Sequence, residues 1–201
     1  MSGILMSLMA AGFTPVSATF DTSGSSTVPA GAQFARLRAW GPGGGGSRDI
    51  ALGVGTGGGS GAYSETASIA VSAGQVITIV VGTGGAGKIT TDGNGSAGSG
   101  ATTISATLTG GSVAISAGAG NGGLKSGASP VASTASGGAT TNTSGNVPGA
   151  NLLTGAGAPN GGGNQTVNGA VGTIPGGGGA ATQSTGDGGN GANGRVIVDY
   201  T

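Results

Sequence analysis

Apolar and polar residues alternate with period two in short blocks along this chain, and runs of glycine separate the blocks. In Phe34–Trp40 the alternation puts Ala35, Leu37 and Ala39 on one face and Phe34, Arg36, Arg38 and Trp40 on the other, which predicts a half-buried strand. Tyr63, Glu65, Ala67, Ile69 and Val71 share one face of a second predicted strand. Segment 75–82 is apolar on both faces apart from Thr78, the pattern of a central strand. Segments 101–108 and 113–116 flank Gly110-Gly111, a dipeptide suited to the positive φ angles of a tight hairpin turn. Arg195–Tyr200 reads as a last strand that closes the sheet, and helical periodicity is essentially missing after the first dozen residues.

Tracts 43–46, 57–59, 161–163 and 176–179 consist of glycine alone. Such runs read most simply as flexible linker. Two features oppose that: strands follow the tracts to the end of the chain, and segment 126–186 contains no Asp, Glu, Lys or Arg. Disordered segments usually stay solvated by carrying charge. Without a Cβ, extended helices of polyproline type can instead pack side by side and bond backbone to backbone. A collagen register of glycine at every third residue is absent. The expected fold is therefore all-β: a small antiparallel β-sandwich with long glycine-rich loops, the tracts lying either as packed polyglycine-type extended helices or as irregular loops.

Composition narrows the function. Glycine supplies 51 of 201 residues, and there is no histidine or cysteine. That removes a histidine base, a thiol nucleophile, a disulfide and the usual soft-metal ligands. Six basic residues balance six acidic ones, so no basic footprint for nucleic acid or anionic lipid exists. So few charges give little colloidal repulsion, which points to work inside an assembly. The longest mostly apolar stretch, 4–11, is far short of the roughly 20 residues of a membrane span. Its residues Ile4, Leu5, Met6, Leu8 and Met9 fit a peg that docks into a partner. A cleaved signal or a frayed terminus stays open, the signal weakened by the lack of Lys or Arg ahead of the run.

Segment 82–88 matches G-x-G-x-x-G, and it matches the phosphate-loop pattern up to Ile89, which stands where Ser or Thr would hold magnesium. Turn chemistry, not a helix, follows it, so the expectation is a glycine turn ending in an exposed lysine, with no cofactor. Among the carboxylates, Asp92 and Asp187 each precede glycine, a turn position, and serines lack a base to activate them. No enzymatic activity is expected. The Phe34, Arg36, Arg38 and Trp40 face suits a cation–π ladder or a subunit contact better than sugar stacking. The uncharged middle, 124–175, offers short polar groups and isolated apolar ones, with Asn142, Leu152, Leu153 and Asn160 as candidate receptor contacts.

Five blocks then stand in a shared order: 27–31, 35–46, 57–65, 74–87 and 191–200, among them Ala35-Arg-Leu-Arg-Ala-Trp-Gly-Pro and Gly191-Ala-Asn-Gly-Arg-Val-Ile-Val-Asp-Tyr. Over about residues 26–200 this resembles the glycine-rich domain of tailed-bacteriophage tail-fibre and related virion proteins. The resemblance implies a β-structured module on the virion exterior, often at the distal end of a fibre, where it meets a bacterial surface receptor. With only about 25 residues ahead of the domain, the chain is expected to be no fibre shaft. Residues 1–22 would attach it to fibre, tail or capsid proteins, and 23–201 would form the glycine-rich domain, with 124–175 as an inserted loop region. A homotrimer is the expected assembly, and a capsid decoration or cement protein is the competing role.

Overall fold

The computed structural model describes residues 13–138, 140–150, 152–183 and 186–201. The peg residues Ile4, Leu5, Met6, Leu8 and Met9 lie outside the described residues. Two antiparallel sheets pack face to face. Sheet A has the order β1 (Val16–Phe20), β11 (Arg195–Tyr200), β3 (Phe34–Trp40), β4 (Tyr63–Glu65) and β10 (Thr141–Thr143), with β5 (Ile69–Ala70) also paired to β3. Sheet B has the order β2 (Gly24–Thr27), β6 (Val76–Val80), β7 (Thr102–Leu108), β8 (Gly111–Ala117) and β9 (Ala135–Ser136). Leu37, Ala39, Val196 and Val198 from sheet A meet Ile77, Ile79, Ile104 and Ile115 from sheet B in one buried cluster. The all-β antiparallel sandwich read from the period-two blocks is thus the fold.

Several details differ from the sequence pattern, each for a local reason. The face predicted for 63–71 is split. Glu65 pairs with Arg38 on the outer side, yet Ile69 pairs with buried Ala35, so four residues on one strand oppose three on the other. That extra residue, near Thr66, flips the pleat and turns Ile69 and Val71 toward the core. The hairpin turn is Thr109-Gly110, since Gly111 already pairs with Leu108; Gly111 takes φ +125° there. The strand β6 is central in its sheet, but its second apolar face is open to solvent, with Val76 and Val80 exposed. The last strand, β11, does not close an edge: it inserts between β1 and β3.

Six glycine tracts are continuations of strands. Tracts 41–49, 82–88 and 118–124 run on from β3, β6 and β8, and tracts 55–62, 93–99 and 188–194 lead into β4, β7 and β11. A seventh, 176–182, lies among them. Tract 41–49 is the axis. Gly43, Gly46 and Asp49 donate to the carbonyls of Ala192, Gly189 and Thr182; Gly44 and Ser47 donate to Gly59 and Thr56; Gly45 and Arg48 donate to Ser96 and Gly93. Carbonyls of Gly43, Gly44 and Gly45 accept from Gly85, Gly179 and Gly123. Bond direction therefore repeats every third residue, the period of a polyproline-type helix. The surrounding tracts bond in turn to one another: Ser96 to Ala86, Gly95 to Gly123, Gly59 to Asn121, Gly58 to Gly179, Gly189 to Ala180 and Gly191 to Gly85. Those bonds close a ring of six tracts around tract 41–49.

The packing requires glycine. A methyl group on Gly44 would lie 2.1 Å from the Asn121 carbonyl oxygen, one on Gly46 would lie 2.0 Å from that of Ala180, and one on Gly178 would lie 2.0 Å from that of Gly58. Backbone hydrogen bonds, each worth about 0.5–1.5 kcal/mol net, and close backbone contact offset the large entropy that glycine loses on folding. The sandwich holds one end of the bundle, and the loops joining the tracts form the opposite tip.

Candidate recognition surfaces

Charge divides between the two ends. The sandwich carries Asp21, Arg36, Arg38, Glu65, Arg195 and Asp199; the tip carries Arg48, Asp49, Lys88, Asp92, Lys125 and Asp187. Between them the bundle is neutral. At the tip Arg48 lies 3.6 Å from Asp92 and 3.9 Å from Asp187, and its Nε donates to the Gly186 carbonyl at 3.1 Å. Asp49 accepts from the amides of Leu52 and Val54, which shapes the 49–54 turn. Backbone donation from Ile50 and Ala51 holds the Asp92 carboxyl below its usual range. Leu52 stands 75% exposed on that turn, and Ile89 is exposed on the neighbouring one.

A second surface is a groove along the bundle flank. It has a volume of about 550 Å³ and is lined by Asn146, Val147, Pro148, Leu152, Thr154 and Asn164, among others. Tract 152–158 forms its floor and joins the bundle: Gly57 donates to Leu152, Ala156 to Gly58, and Ala181 to Leu153. Asn146 donates through Nδ2 to the Gly157 carbonyl at 2.8 Å, while Asn164 Oδ1 accepts from the Gly157 amide at 2.5 Å. The region 124–175 is therefore partly bundle and partly loop.

The four candidate contacts occupy separate places. Asn142 sits in β10; its Oδ1 accepts from Ser64 Oγ and the Gly138 amide, and its Nδ2 donates to the Gly138 carbonyl. Leu152 is exposed on the groove, and Leu153 is half-buried beside it. Asn160 is exposed on a turn with φ +52°, next to the Pro159 carbonyl that accepts from Trp40 Nε1 at 2.9 Å.

On the outer face of sheet A the expected cation–π ladder is replaced by ion pairs. Arg36 Nε donates to Glu65 at 2.6 Å, Arg38 to Asp199 at 2.7 Å, and Arg195 to Asp21 at 2.6 Å. Trp40 packs on Tyr63 with ring centroids 4.9 Å apart, and the Tyr63 hydroxyl donates to Glu65. Burial pushes the Glu65 carboxyl up, but donation from Tyr63 and Arg36 and the nearby guanidinium charges hold it below its ordinary value. Burial also raises the Tyr63 phenol, and the Glu65 charge adds to that.

Segment 82–88 is a bundle tract whose glycine amides are engaged. Gly85 and Lys88 donate to Gly43 and Gly46, while Gly84 and Gly87 donate to the side-chain oxygens of Asn193 and Asn190. Phosphate would find those groups occupied. Those two asparagines were missed by the motif reading. Their spacing of three, Asn190-Gly-Ala-Asn193, is the visible signal, because it puts both side chains on one side of a threefold helix. They supply side-chain acceptors to the Gly84 and Gly87 amides from tract 188–194, whose backbone packs directly against 82–88.

No curated protein matches the chain. A family model described as a glycine-rich domain matches residues 19–201, a span that takes in the sandwich, the bundle and the tip. On that match the chain belongs to this glycine-rich domain family.

Proposed function

We propose that this chain is a non-enzymatic bacteriophage virion protein, a tail-fibre or tail-tip appendage on the virion exterior that holds loops for attachment to a host surface receptor. The observation that carries this reading is the bundle itself. A neutral, cross-bonded set of seven tracts separates the sandwich from a tip and flank that expose Leu52, Ile89 and Leu152. Rigid scaffolds holding exposed loops suit recognition. Phe13 packs beside Gly31 at the end of the sandwich away from the tip. The apolar run Ile4, Leu5, Met6, Leu8 and Met9 in the sequence suits docking into fibre, tail or capsid proteins. Copies of the chain assemble with one another.

The competing role, a capsid decoration protein, draws support from the neutral flank, which suits packing on neighbours. Cryo-electron microscopy of the intact particle separates the two: a few copies at the tail fit attachment, and copies that follow the capsid lattice overturn it. Adsorption assays with Leu52→Asp and Leu152→Asp virions then test the receptor role. Unchanged adsorption with normal incorporation would remove it.

A further inference from the structure

The two outer faces of the sandwich differ in one respect that decides what each can meet. Sheet A's outer face carries Arg36, Arg38, Glu65, Arg195 and Asp199. Sheet B's outer face carries none of the twelve charged residues. The pairings Thr78 with Ser105, Val80 with Thr103 and Ser105 with Ala114 put small and β-branched side chains side by side across it. Val76 and Val80 there are 51% and 46% exposed.

We infer that this face is a two-fold interface with a second copy of the chain. A foreign partner is usually held by an aromatic or arginine anchor, or by opposite charge, and the face offers neither. It is complementary to its own kind: uncharged, pleated, with valine and threonine methyls that fill the spaces between rows when two sheets stack about 10 Å apart. The sheet gives a footprint of about 400 Å² at ordinary strand spacing and rise. The neutral flank of tracts 82–87 and 93–100 continues beyond it, with Thr83, Ala86, Ser96 and Ser99 exposed. Together they approach the roughly 800 Å² per partner of a specific interface. A flat patch that meets itself closes at two copies, because the isologous contact uses the same surface on both. Two copies, and not the homotrimer expected from the sequence, are then the assembly, and sheet A's charged outer face stays in water. This inference stands apart from the receptor reading.

Sedimentation velocity of the full chain tests it. At about 100 μM a species of twice the 18.1 kDa chain mass is expected. Thr78→Lys and Ser105→Glu each raise the dimer dissociation constant at least about tenfold while circular dichroism stays unchanged, and Thr19→Lys on sheet A's outer face leaves it alone. The chain lacks cysteine, so Ser105→Cys provides a single thiol that cross-links two copies on oxidation, whereas Thr19→Cys does not. A monomer at every concentration, a mass of three copies, or a dimer indifferent to both folded charge variants would overturn the interface.

Discussion

The sandwich and the glycine bundle solve the same problem with opposite means. In the sandwich, side chains exclude water: Leu37, Ile77, Ile79, Ile104 and Ile115 are buried between two pleated sheets. In the bundle most positions are glycine, and backbone fills most of the interior directly, with small buried groups such as Ser47, Thr56 and Ala180 between the tracts and carbonyls of Gly44 and Gly45 among those that receive amides from neighbouring tracts. A hydrophobic core tolerates some change of shape, because side chains repack. At the close-contact glycines of the bundle a single added methyl meets peptide atoms that are themselves hydrogen-bonded and cannot repack. The difference teaches that glycine is the space-filling residue in one half of this molecule and punctuation in the other.

Substitutions should expose this contrast. The largest effect is expected for Gly44→Val, whose Cβ would sit 2.1 Å from the Asn121 carbonyl oxygen: a loss above about 4 kcal/mol, or failure to fold, read by chemical denaturation. Ile77→Ala in the sandwich should lose about 2–5 kcal/mol in the same assay. Asn190→Ala orphans the Gly87 amide that it accepts at 2.8 Å, and about 1–2 kcal/mol should follow. Gly24→Ala is the counter-case: nothing lies within 4 Å of its Cβ and its φ is ordinary, so it should be neutral or stabilising by under about 1 kcal/mol.

A pH titration sharpens the same comparison, since the charged residues sit in the sandwich and at the tip end of the tracts. Donation from Arg195 lowers the Asp21 carboxyl, and those of Glu65 and Asp92 are lowered too. Groups depressed in the folded state contribute stability above their ordinary values near about 4, and that stability is lost as pH falls through the folded ones. Burial raises the phenols of Tyr63 and Tyr200, so their contribution holds below about 10 and is lost as pH rises beyond it. The melting temperature should stay flat between about pH 5 and 9 and fall on both sides. A midpoint near pH 6.5 has no group to cause it, because the chain has no histidine.

Much of the sandwich was legible because alternation is local. The bounds of β3 and β11 and the inward face of Leu37 follow from neighbours one and two residues away. The bulge near Thr66 was not, since pleat parity there is set by the partner strand and not by residues 63–71 themselves. The packed character of the tracts could be argued from the uncharged 126–186 segment, yet their neighbours could not: Gly44 bonds to Gly59 and to Gly179, and nothing in a run of identical residues encodes which. Surface positions were least legible. Asn142, a candidate contact from the sequence, is bonded to Ser64 and Gly138 within the fold, whereas exposed Leu52 stands out only once the tract ends are brought together as a tip.

Amide hydrogen exchange tests the central claim most directly. If the tracts are a hydrogen-bonded core, the amides of Gly44, Gly58, Gly179 and Gly191 should be protected as strongly as those of Leu37 and Ile79, and should open only with global unfolding. Exchange of those four glycines at the rate of an open linker, while the sandwich stays protected, would contradict it.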